Sequence, residues 1–78
     1  MNKAVNQYSY EDLKGLVFTK RQIRICRLLS QGYCFKEIAS MQNIHLRSAH
    51  YSIKSAVKRN SAKSALHLIY LMAKKKII

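Results

Sequence analysis

Residues 36–59 read KEIASMQNIHLRSAHYSIKSAVKR. The stretch holds one acid, Glu37, and five Lys or Arg, with no Pro and no Gly. Its first part carries Ile38 and Ala39, flanked by Phe35 and Met41, at the spacing of one helix face, which predicts a helix over Phe35–Gln42. Its second part carries Ala49, Ile53, Ala56 and Val57 at helical spacing, which predicts a longer helix from about Leu46 to Arg59. Between them, Gln42-Asn43-Ile44-His45 supplies a tight break. Asn is among the few residues that enter the left-handed region readily, so Asn43 can reverse the chain without a glycine. Ile44 then drops into the core. Arg47, His50, Tyr51, Lys54, Ser55 and Lys58 are left on the outer side of the second helix.

Two helices joined by a tight turn, the second long and basic, form a helix-turn-helix arrangement. In that arrangement the second helix enters the DNA major groove while the first crosses the backbone. With Phe35 in the first place of the pattern, Ala39 fills the small fifth place and Asn43 the turn at the ninth. Ile38, Ile44 and Ala49 fill the apolar fourth, tenth and fifteenth places; Gln42 and Ser52 depart from it at the eighth and eighteenth.

Upstream, FTKRQIRICRLLSQG (residues 18–32) predicts a first helix over Lys20–Gln31. Thr19 followed three residues later by Gln22 is a capping box, and Gly32 stands where helices end. Ile25, Cys26, Leu28 and Leu29 give it an apolar face, and Arg21, Arg24 and Arg27 a basic one. Downstream, Ser64 caps a fourth helix from Ala65 to about Lys75, ending in a lysine run that suits the negative end of a helix dipole. Its apolar residues exceed one face. Leu66, Ile69 and either Leu68 or Met72 suffice for the core, which leaves a surplus for an interface. Residues 1–16 read as a leader, a short extra helix or a strap over the core, with apolar Val5, Tyr8, Tyr10, Leu13 and Leu16.

The whole chain has 78 residues, room for one small core. Half of it is hydrophobic, Gly is rare and Pro absent, which favours helices with short joints over a sandwich or barrel. Fifteen Lys and Arg face three acids, for a net charge of +12. Such a surface attracts polyanions. Cys26 and Cys34 are too few for a disulfide framework and belong to no zinc spacing, so both read as reduced, Cys26 as a small buried hydrophobe. No cofactor, metal or catalytic constellation is implied: there is no glycine-rich phosphate loop and no nucleophile–base–acid spacing. No secretory signal is visible, and ALHLIYLMA (65–73) is too short to span a bilayer. These features predict a cytoplasmic chain.

Residues 18–70 resemble the bacterial LuxR/GerE-type helix-turn-helix domain. Its opening Leu-Thr-x-Arg-Glu reads FTKRQ from Phe18 to Gln22; its apolar run and Gly read ICRLLSQG; its Lys-Glu-Ile-Ala stands unchanged at Lys36–Ala39; and the Ile before the recognition helix is Ile44. The chain departs from it at Gln22 for Glu, Gln42 for Leu, His45 for Ser, Ser48-Ala49 for Thr-Val, Ser52 for His, Ala56 for Ile and Arg59-Asn60 for Lys-Leu. The resemblance implies an all-α, four-helix domain over residues 17–78 that binds double-stranded DNA, acts near the nucleoid and regulates transcription as a homodimer. By position it makes Arg47, His50, Tyr51 and Lys54 candidates for base edges or adjacent phosphates. Ser48, Lys36, Lys58, Arg59 and Thr19 become candidates for the DNA backbone. It implies pairing through the last helix, with Leu66, Ile69, Tyr70, Met72 and Ala73 as the interface. No receiver or ligand-binding segment is expected before the domain. The rival reading is a module of the same fold that pairs with a larger regulatory protein, favoured by the changes at Gln42, Ser52 and Ala56.

Overall fold

A computed structural model of the chain describes residues 10–78. Among them an antiparallel hairpin, β1 (Glu11–Leu13) and β2 (Leu16–Phe18), precedes four helices: α1 (Lys20–Ser30), α2 (Phe35–Gln42), α3 (Leu46–Arg59) and α4 (Ala65–Lys74). The four helices fall where apolar spacing and caps put them. The hairpin does not follow from the reading of residues 1–16 as a leader. Of the apolar residues assigned to that leader, Val5 and Tyr8 lie outside the described residues.

The hairpin explains itself locally. Glu11 pairs with Phe18, Asp12 with Val17 and Leu13 with Leu16, leaving a two-residue loop. Lys14 and Gly15 both adopt positive φ, 55° and 92°, as the tight loops that match strand twist require. β2 alternates, with Leu16 and Phe18 buried and Val17 between them half-buried. A boundary after residue 16 therefore cuts through a strand whose side chains already belong to the core.

α1 starts on the expected capping box. The Gln22 amide donates to the Thr19 hydroxyl (3.1 Å), and the Thr19 amide donates to Gln22 Oε1 (2.9 Å). Gln22 is only 3% exposed, and its remaining Nε2 donates to the Ser52 carbonyl of α3 at 3.1 Å. The amide at this position thus caps one helix and ties it to another, and a carboxylate has no proton to give Ser52. α1 ends as the Gly32 signal indicates: Gly32 sits at φ 101°, its N–H bonds Leu29 O, and the Tyr33 N–H bonds Leu28 O.

α2 turns into α3 through Asn43 at φ 57° and ψ 47°, and the Ile44 N–H reaches back to Ala39 O at 2.9 Å. Ile38 and Ala39 are buried as expected, Met41 is exposed and Gln42 is half-buried. Ala49, Ile53 and Ala56 of α3 meet Ile25 and Cys26 of α1 in one core with Phe18, Ile38, Leu68 and Met72. At the end of α3, Asn60 does more than break the helix. Its Oδ1 accepts from the Val17 N–H (2.7 Å), and its Nδ2 donates to Val17 O (3.0 Å) and Ala56 O (2.8 Å). One side-chain amide thereby extends the hairpin's bonding and locks β2 to α3.

On α4 the core takes Leu68 and Met72, while Leu66 points outward. Leu66, expected to cover the core as well as to join an interface, does not reach the core, while Leu68 and Met72, read as alternatives for it, are both buried, which removes Met72 from the interface. Several rows of this apolar helix satisfy helical spacing equally well, so periodicity alone does not choose the buried one.

Candidate nucleic-acid interface

α3 buries Ala49, Ile53 and Ala56. At 100° per residue, Arg47, Tyr51, Lys54 and Lys58 lie opposite that row, and all four are exposed. Tyr51 is 72% exposed and does not fold onto Ile44. No acid occurs anywhere in α1, α3 or α4. The outer side of α3 is thus an uninterrupted line of donors and cations about three turns long.

Neighbouring elements orient the flanks of that line. His50 is exposed, and its ring stacks on Phe35 with centroids 4.2 Å apart and an interplanar angle of 29°. Phe35 opens α2, so the stack sets the imidazole against the first turn of α2, where Lys36 is exposed. Ser48 is half-buried in the first turn of α3. His45 precedes that turn in extended conformation and gives it no side-chain cap. The first amides of α3 are therefore free to meet a phosphate, which the helix dipole favours.

Two expected backbone contacts are engaged elsewhere. Thr19 is 8% exposed and its hydroxyl accepts from the Gln22 amide, so it caps α1. Arg59, though exposed, holds its guanidinium 4.1 Å above the ring of Tyr10, in the segment before the hairpin. Sequence spacing does not show the partners of Phe35, Tyr10 and Asn60, namely His50, Arg59 and Val17. Each acts across elements distant in the chain, and no local pattern announces such a pairing.

On α2, Glu37 accepts from the Cys34 N–H at 2.9 Å, a bond that holds its carboxyl below the usual range. The one acid near the basic face is thereby turned to the start of its own helix. Beside it, Tyr33, Lys36, Glu37, Ser40 and Met41 line a shallow depression.

The second candidate surface lies on α4. Leu66 is 78% exposed and Tyr70 58%, with Ala73 exposed on the same side and Ile69 half-buried beside them. The Lys74 ammonium sits 5.9 Å from the Tyr70 ring centroid. Met72 is fully buried within its own chain and offers nothing to a partner. Among the described residues no helix is long and apolar enough to cross a membrane. No family model, no curated protein and no solved structure matches the chain.

Proposed function

We propose that the chain is a helix-turn-helix protein of LuxR/GerE type that binds double-stranded DNA in a sequence-specific way and regulates transcription as a homodimer. The observation that carries this reading is the outer row of α3: Arg47, Tyr51, Lys54 and Lys58 exposed together opposite the buried Ala49, Ile53 and Ala56, after a left-handed Asn43 turn. With Ala49, Ile53 and Ala56 turned to the core, the opposite side of α3 is the one offered to a groove. Arg47 and Lys54 are assigned to base edges, His50 and Tyr51 to edges or adjacent phosphates, and Ser48, Lys36 and Lys58 to the backbone. Leu66, Tyr70 and Ala73, with Ile69 at the margin, form the pairing surface.

A second reading has its own observation. The same α4 surface, apolar and exposed among the described residues, also fits a larger regulatory protein in place of a second copy. Selection from a pool of random duplexes at about 150 mM salt separates the two, since non-specific binding is weak there. The wild type enriches a two-fold-symmetric motif and the Arg47→Ala/Lys54→Ala variant does not. Enrichment of nothing by the wild type abandons the DNA-reading assignment in favour of the protein partner.

A further inference from the structure

α1 repeats the arrangement of α3 on a different side. It buries Gln22, Ile25 and Cys26, and opposite that row stand Lys20, Arg24 and Arg27, all exposed. They span about 10 Å of helix axis. α1 and α3 pack on one another through their buried rows and are joined by the Gln22–Ser52 bond, so their cationic rows point away from each other.

Two further segments bring cations to the α1 side. Arg27 Nη2 lies 3.4 Å from the carbonyl of Ile77, just after the lysine run. Lys14, at the hairpin loop, donates its ammonium to the Lys75 carbonyl at 2.9 Å, beside Lys76. The hairpin loop and α1 thus both bring a cation against residues 75–77, and a polyanion laid across that side meets the cations of all three segments. Solubility is served as well by dispersed charge and gives no reason for gathering them. The row is extended and convex, which suits a long polyanion better than a small ion. It interleaves no large apolar side chain on the Lys20–Arg24–Arg27 row, as insertion into a lipid surface requires.

We infer that Lys20, Arg24 and Arg27, with Lys14, Lys75 and Lys76, form a second contact for duplex DNA, so that one molecule holds two DNA segments, one on α3 and one on α1. The inference rests on the reading of α3 as the first DNA-binding face. The second contact is electrostatic and reads no sequence, because its cations lie on a helix face outside the helix-turn-helix.

The test uses the full chain loaded on an immobilised duplex at about 100 mM salt, where phosphate contacts still dominate. A labelled second duplex is then passed over it, and first-duplex loading and second-duplex capture are read separately. Lys20→Glu/Arg24→Glu keeps the Arg27 bond to Ile77 and alters only exposed positions, and its helicity is checked by circular dichroism. This variant is expected to load within about three-fold of wild type and to capture at least about ten-fold less second duplex. Capture that persists undiminished in it overturns the inference, since pairing through α4 then suffices to bridge. In parallel, Arg47→Ala/Lys54→Ala is expected to lose first-duplex loading. If it loads like wild type while the α1 variant fails to load, the α3 reading falls and the two-face assignment falls with it.

Discussion

On α3 the side turned from the core carries Arg47, Tyr51, Lys54 and Lys58; on α4 it carries Leu66, Tyr70 and Ala73. The inner sides ask for the same thing, a short apolar row: Ala49, Ile53 and Ala56 in one, Leu68 and Met72 in the other. Folding therefore places equal demands on both helices and leaves both outer sides free. Where folding is indifferent, the residues present reflect what the surface meets. A cationic row three turns long suits a polyanion, and an apolar patch of a large aliphatic and an aromatic suits a protein surface. The contrast is sharper than either surface alone, because one chain with one core carries both.

The largest effect expected is on the cationic side. Each good side-chain contact to a base is worth about 1–3 kcal/mol, so Arg47→Ala/Lys54→Ala is expected to weaken binding to a selected duplex by about 10²-fold or more. Titration at fixed salt measures it, and a loss under about three-fold removes α3 from the interface. With roughly six to ten phosphates neutralised, wild-type affinity should fall about 10³–10⁵-fold between about 50 and 200 mM salt.

The apolar side is broken in two ways that must not be confused. Met72→Ala empties a fully buried site and should cost about 2–5 kcal/mol in urea unfolding. Leu66→Ala alters an exposed position and should stay within about 0.5 kcal/mol for the monomer, while shifting sedimentation from dimer to monomer. A Leu66→Ala protein that remains dimeric moves the pairing surface off α4.

How far the sequence foretold this molecule depends on the range of each interaction. The helix limits of α2 and α3 and the caps of α1 rest on neighbours three or four residues apart, and they are legible at that range. The hairpin is harder to see. EDLKGLVF has only three residues on each side of its loop, too short for alternation to separate from a leader, and it is secured by Asn60, more than forty positions on. Which of Leu66, Leu68 and Met72 on α4 enter the core is likewise decided by α1 and α3, not by α4 itself. Of the surface, the cations of α3 were legible as a row, whereas the engagement of Thr19 and Arg59 was not. Those two are set by burial and by Tyr10.

Asn60 gives the next prediction in size. Asn60→Ala removes three hydrogen bonds and leaves the part-buried Val17 N–H and C=O without it, for an expected loss of about 1–3 kcal/mol. The hairpin should open before the helices do, read as amide exchange at Val17 faster than at Ile53. Equal protection at both sites would mean that Asn60 is a helix end and nothing more.

The two thiols extend the contrast between inner and outer positions to chemistry. Cys34 is exposed and Cys26 is buried, so a thiol reagent should modify Cys34 in the native protein and Cys26 only on unfolding. Burial pushes the Cys26 thiol up from an ordinary 9.0 to about 12. The folded chain keeps its proton where the unfolded chain loses it. That contribution is fully present below pH 9.0 and is lost as pH rises toward about 12, at about 1.4 kcal/mol per unit. Unfolding measured from pH 8 to about 10 should show the decline, and Cys26→Ala, less stable throughout, should lack this part of it.

The smallest effect concerns how the helices stop. Three of the chain reversals, at Gly32, Asn43 and Ser61, use the left-handed conformation, with φ of 101°, 57° and 55°. Gly and Asn enter it at little cost; Ser does not. At Ser61 the geometry is nonetheless complete, with the Ser61 N–H on Lys58 O and the Ala62 N–H on Val57 O, so the strain is held by the bonds around it. Ser61→Gly relieves the strain but frees the unfolded chain, and the two partly cancel. A net gain of about 0.5 kcal/mol is expected, and Gly32→Ser should lose at least as much, because glycine is lost from the same conformation. This end lies beside Asn60, between α3 and α4. If Ser61→Gly destabilises, the hydroxyl makes a contact that outweighs the backbone strain, and the link between the cationic and apolar helices is more specific than its backbone bonds require.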